Sequence, residues 1–213
     1  DLVKYLVSKG ADVRVKSKHG VTALMNACFG GSLDVVKYLV SKGANVKEKS
    51  KNGETALMKA CYLGRLAVVK YLISKGADVN AKNKYGWTAL MDASYYGYLA
   101  VVKYLISKGA NIKIRDNDGE TALMCACRVG SLDIVKYLIS KGVDVNAKDN
   151  KGNTALMVVN YIGHLDVVKY LVSKGAKVNV KNKKGETALD HAWKAHIKRY
   201  LLSVGAKSGK DIK

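Results

Sequence analysis

The pentapeptide Gly-x-Thr-Ala-Leu occurs six times at one spacing. Its threonines are Thr22, Thr55, Thr88, Thr121, Thr154 and Thr187, each 33 residues after the last. A fixed period of this length marks an array of one supersecondary unit. No such unit buries its apolar face alone, so neighbours stack and share a core. Apolar residues make up 48% of the 213, enough to supply that core. No run of 18 apolar residues exists, which predicts no membrane span, and no signal peptide is visible.

The unit from Ala44 to Gly76 shows the local logic. Asn45 to Glu54 is polar and turn-like, and Gly53 suits a tight turn. Thr55 precedes a short apolar run, where its hydroxyl can cap a helix running to about Leu63. Leu57, Ala60 and Cys61 fall at i, i+3 and i+4 and form its buried stripe. A second helix covers about Leu66 to Lys75, with Gly76 as its C-cap. Each unit therefore reads as turn, short inner helix, bend, longer outer helix and loop.

These residues resemble the ankyrin repeat. The fourth full copy carries the pattern as Asp116, Gly119, Thr121, Leu123, Ala126, Gly130, Ile134, Val135, Leu138 and Gly142. The resemblance implies an all-α solenoid of helix-turn-helix units with projecting β-turn fingers. It also implies a non-catalytic scaffold that binds protein partners through its concave inner-helix and finger surface. Two departures stand out. Where the family favours Thr-Pro-Leu-His, this chain has Thr-Ala-Leu-Met, with Met25, Met58, Met91, Met124 and Met157 in place of histidine. Proline pre-sets a first helical turn and methionine specifies geometry weakly, so a softer frame is expected.

The register divides the chain into an outer helix of a truncated preceding repeat at 1–10, then repeats at 11–43, 44–76, 77–109, 110–142 and 143–175. A shortened capping repeat follows at 176–206, and a basic tail at 207–213 that is expected to fray. Thr187 and Asp190 are spaced for a capping box in that last repeat.

Comparing the repeats with one another separates frame from variation. On the inner helix, the positions two and five after the leucine of Thr-Ala-Leu lie opposite the buried stripe. They read Asn26, Lys59, Asp92, Cys125, Val158, His191 and Phe29, Tyr62, Tyr95, Arg128, Tyr161, Lys194. The finger tips vary too, and carry Tyr85 and Trp87. Surface positions freed from packing carry diversity, so these columns are the candidate binding surface. Phe29, Tyr62, Tyr85, Trp87, Tyr95, Tyr96, Tyr98 and Tyr161 are its candidate anchors, with Lys59, Asp92 and Arg128 giving orientation.

The net charge of +20 offers an alternative, a polyanion such as nucleic acid or an acidic membrane surface. Lysine supplies 32 of the 37 basic residues, at identical phases such as Lys37, Lys70, Lys103, Lys136 and Lys169. Identical charges at identical phases read as frame, and scarce arginine argues against base-specific reading. No phosphate-binding glycine loop, metal spacing or nucleophile-base signature points to an enzyme, a cofactor or a metal. Cys28, Cys61, Cys125 and Cys127 read as reduced thiols of a cytoplasmic or other reducing compartment, with Cys125 the one in a variable column. A monomer is expected unless the N-terminal edge pairs.

Overall fold

The computed structural model describes residues 2–212, apart from the side chains of residues 161 and 162. Its backbone falls into two compact units, residues 1–111 and 112–213. The first contains Leu2–Ser8 (α1), Ala23–Gly30 (α2), Leu33–Ser41 (α3), Ala56–Tyr62 (α4), Leu66–Ser74 (α5), Ala89–Tyr95 (α6) and Leu99–Ser107 (α7). The second contains Ala122–Arg128 (α8), Leu132–Ser140 (α9), Ala155–Ile162 (α10), Leu165–Ser173 (α11), Ala195–Ser203 (α12) and a closing 3-10 turn, Gly209–Asp211.

Within the first unit, inner helices α2, α4 and α6 stack in sequence, and outer helices α3, α5 and α7 do the same behind them. Within the second, α8 packs on α10, and α9, α11 and α12 follow one another. The recurring threonine starts each inner helix. Its hydroxyl accepts the methionine N–H three residues on, at 3.2 Å for Thr22 and Thr55 and 3.3 Å for Thr88 and Thr121. This satisfies one of the unpaired donors of the first turn. Thr154 is the exception: its buried hydroxyl has no hydrogen-bond partner. The methionines that replace histidine are buried in all five copies, and so are Leu57, Ala60 and Cys61.

The fingers are tied both locally and to one another. In the second repeat, Ser50 Oγ accepts the N–H groups of Asn52 and Glu54 at 3.3 and 3.2 Å. Asp116 does the same for Asp118 and Glu120 at 3.0 and 2.7 Å. Backbone bonds link successive fingers: Lys51 N–H to His19 O and Lys84 N–H to Asn52 O, both 2.9 Å. Gly53 sits at this junction with φ +76°, and a Cβ there would lie 3.0 Å from the backbone of Asn83 and Lys84. Both conformation and space exclude a side chain.

Asparagines add a clamp that the repeat pattern did not advertise. Asn80 donates to Gly109 O at 3.1 Å and accepts the Asn111 N–H at 2.7 Å. Asn146 bridges Gly175 and Lys177 in the same way, at 3.0 and 2.8 Å. Asn179 repeats the pair with Gly205 and Lys207, at 3.0 and 2.7 Å.

That last pair overturns the expectation of a frayed tail. Residues 207–212 take the hydrogen-bonding positions of a following repeat. Lys181 Nζ donates to Ile212 O at 2.6 Å, where Lys148 donates to Lys181 O at 3.2 Å one repeat earlier. Asp190 anchors the segment, accepting from Ser208 Oγ at 2.7 Å and the Gly209 N–H at 2.8 Å. Burial alone would raise the Asp190 pKa, but the bonds from Thr187, Gly209 and Ser208 outweigh it and hold it at about 2. The capping box is only half formed. Asp190 accepts the Thr187 N–H at 2.7 Å, yet the Thr187 hydroxyl turns to Asp190 and to Lys207 O. No helix starts at Thr187; the contracted repeat has room only for a turn between it and α12.

Candidate functional site

Five of the candidate anchors of the first unit fall into one connected chain of rings. Phe29 stacks on Tyr62 with centroids 5.9 Å apart. Tyr62 tilts over Tyr96 at 4.3 Å, Tyr96 meets the edge of Tyr95 at 5.0 Å, and Tyr95 meets the edge of Trp87 at 5.8 Å. The order differs from the column order of the sequence. Tyr62 contacts Tyr96, just past the end of α6, while Tyr95 turns towards the finger residue Trp87. Phe29 is 46% exposed and Tyr62 and Tyr96 are 38% exposed each, whereas Trp87 and Tyr95 are half-buried. The accessible part of the chain is therefore Phe29–Tyr62–Tyr96.

Charged groups flank these rings. Lys59 donates to Glu54 at 2.6 Å, so a finger carboxylate holds an inner-helix lysine of its own repeat. Arg128 pairs with Glu120 in the second unit by the same logic. Burial raises the Glu120 pKa, with the Arg128 charge opposing. His191 lies 3.2 Å from Glu186. The finger position that supplies Glu54, Glu120 and Glu186 supplies Trp87 in the third repeat, where it meets a ring instead. These finger acids were visible in the sequence five or eight residues before a cationic or imidazole side chain, but comparing columns between repeats hides pairs within one.

Asp92 is half-buried. Burial first, then the Glu54 charge, raise its pKa to about 7, and Lys59 only partly opposes them. Burial and the neighbouring Tyr62, with lesser contributions from Asp92 and Tyr95, push the Tyr96 phenol up.

Three candidates stand apart. Tyr85, 59% exposed, makes no ring-to-ring contact among the described residues. Tyr98 lies over Gly64: a Cβ there would come 2.5 Å from its ring, so Tyr98 covers the bend between α4 and α5. The Tyr161 side chain lies outside the described residues. Trp193, which the column comparison passed over, is 73% exposed. Cys125 corrects the assumption that its column is uniformly open. It is fully buried, as are the other three thiols. It is short, and Arg128, three residues on along the same helix face, is drawn to Glu120. Burial lifts Cys28 to about 12 and Cys61 well above the usual thiol range, so neither is a nucleophile at neutral pH.

The lysine stripes have a structural use. Lys70 and Lys108 lie 5.7 and 5.6 Å from the Tyr104 ring centroid. Lys136 and Lys174 flank Tyr170 at 5.9 and 5.5 Å, and Lys4 and Lys42 flank Tyr38 at 6.0 and 5.7 Å. Each of these frame tyrosines holds one lysine from the preceding outer helix and one from the end of its own. Among the described residues, no group of His, Cys, Asp and Glu could hold a metal ion. No helix there is long and apolar enough to cross a membrane.

Ankyrin-repeat profiles match residues 1–83, 44–116 and 79–149, and a second ankyrin profile matches 129–172 and 161–197. The chain belongs to the ankyrin repeat family. The ankyrin repeat domain of human ASB11 is a solved structure similar to this one, with TM-score 0.86 and 27% identity over 96% of this chain and 92% of that one. No curated protein sequence matches the chain. Ankyrin repeats are generally protein-interaction modules and are typically non-catalytic, and the all-α ankyrin solenoid is the fold observed.

Proposed function

We propose that this chain is a non-catalytic scaffold that binds a protein partner on the inner-helix and finger face of its first unit. The observation that carries the reading is the connected, partly exposed row Phe29–Tyr62–Tyr96. Large rings held by ring-to-ring contact lose little freedom on binding, and such residues dominate interface energies. Lys59 is held by a finger carboxylate, which supports an orienting role over a primary contact. Trp87 and Tyr95 pack against each other and serve as the backing of the row.

The full chain as bait, at low and moderate salt, retrieves the partner for a binding assay. Replacing Phe29 and Tyr62 together by alanine is expected to weaken that complex at least about 30-fold, given hot-spot costs of about 2 kcal/mol or more. Unchanged affinity sinks the reading. The polyanion alternative predicts affinity falling linearly with salt on logarithmic axes, and the lysine-tyrosine packing gives the stripes a use that needs no anion.

A further inference from the structure

On the inner face of the first unit, two carboxylates, Glu54 and Asp92, have the same lysine, Lys59, beside them. Glu54 is matched by Lys59 at 2.6 Å. Among the described residues Asp92 forms no ion pair and its carboxylate accepts no hydrogen bond, in a chain of net charge +20. It is nonetheless half-buried, and Tyr95 and Tyr96 follow it at i+3 and i+4, on its own side of the helix. The outer helices show what this chain does with tyrosine faces, for lysine ammonium groups stand 5.3–6.0 Å from their ring centroids. No described cation stands over Tyr62, Tyr95 or Tyr96, although these rings are linked at 4.3 and 5.0 Å. A half-buried carboxylate whose neighbouring lysine is already paired with another carboxylate is only partly compensated, and an arriving cation would remove the remaining penalty. Ring faces add attraction of their own.

We propose that the inner face at Asp92 receives one cationic side chain of the bound protein, a lysine ammonium or an arginine guanidinium, held between the Asp92 carboxylate and the tyrosine rings. This rests on the reading of the inner face as the partner's site and names the chemistry that the partner must present there. A basic side chain next to an apolar or aromatic one fits best, the latter seated on Phe29 and Tyr62. An acidic partner segment is disfavoured by Glu54 and Asp92 together.

The test uses small probes on the whole chain at pH 8 and low ionic strength. N-acetyl-lysine methylamide and N-acetyl-arginine methylamide are titrated against N-acetyl-norleucine methylamide, which keeps the aliphatic stem and lacks the charge. Ring proton shifts of Tyr62 and Tyr96 and the Asp92 carboxyl carbon shift are followed. The cationic amides should give saturable shifts with dissociation constants in the millimolar range, at least about 5-fold tighter than norleucine. Asp92→Asn should bring them to the norleucine level while leaving the ring contacts in place. Equal binding of norleucine, or a cation preference that survives Asp92→Asn, overturns the proposal. With the captured protein, tight binding by Asp92→Asn combined with loss in Tyr62→Ala overturns the cation contact and leaves the inner-face reading standing. Indifference to both substitutions overturns the two together.

Discussion

Asp92→Asn is expected to stabilise the first unit at neutral and alkaline pH and to flatten its pH dependence. The carboxyl rises from its ordinary 3.8 to about 7 in the folded chain. A group whose folded pKa is raised supports folding fully below the unfolded value. That support is lost as pH climbs from about 4 to the folded value near 7, and is gone above it. Three units at 1.36 kcal/mol each give about 4 kcal/mol, and screening of a carboxyl that water still reaches reduces this to about 2–3 kcal/mol. The assay is urea unfolding followed by Trp87 fluorescence in a Trp193→Phe background, at pH 4.5 and pH 8. The parent should lose about 2–3 kcal/mol between those values while Asp92→Asn loses little of it. At pH 8 the variant should be the more stable by the same amount. Asp190 does not confuse the comparison: its pKa of about 2 makes its contribution vary only below pH 4. If parent and variant share one pH slope, burial and Glu54 do not dominate at Asp92.

Four further outcomes follow from the same contacts. Thr88→Ala should cost about 1 kcal/mol in thermal or urea unfolding, whereas Thr154→Ala should cost markedly less, because only the first hydroxyl caps its helix. Gly209→Ala should undock the tail, since its Cβ would sit 1.7 Å from Gly185 O; amide exchange at residues 207–211 would rise and the Asp190 pKa would return towards 3.8. As pH falls from about 4 towards 2, the second unit should lose stability in the parent and not in Asp190→Asn, followed by Trp193 fluorescence. Tyr104→Leu should cost about 1 kcal/mol beyond its packing loss, and Tyr104→Phe little, because the face between Lys70 and Lys108 is what counts.

Much of the frame was legible in the sequence because the repeat states it six times. Thr55 as a cap, the Leu57–Ala60–Cys61 stripe and the paired helices all followed from local periodicity. The site was legible in composition and less so in connection. Phe29, Tyr62 and Tyr96 were named, but that Tyr62 would choose Tyr96 over Tyr95 depends on where α6 ends, which no pattern specifies. Glu54 and Glu120 occupy the finger position that holds Trp87 in the third repeat, and their pairing with Lys59 and Arg128 depends on how each finger folds over its own helix. Cys125 was misplaced because burial of a short side chain is decided by its longer neighbours. The tail was misjudged for a related reason. Its order comes from hydrogen bonds to Asn179, Lys181 and Asp190, far back in the chain, and not from any propensity of residues 207–212.

A protein partner resting on the ring row of the first unit would shield those rings from solvent. Hydroxyl-radical footprinting of the complex with the captured partner tests it directly, because every tyrosine reports in one experiment. Phe29, Tyr62 and Tyr96 should become several-fold less reactive on binding while Tyr38, Tyr71 and Tyr104 of the outer helices keep their reactivity. Protection of the outer-helix tyrosines with Tyr62 and Tyr96 unchanged would place the partner on the other face and contradict it.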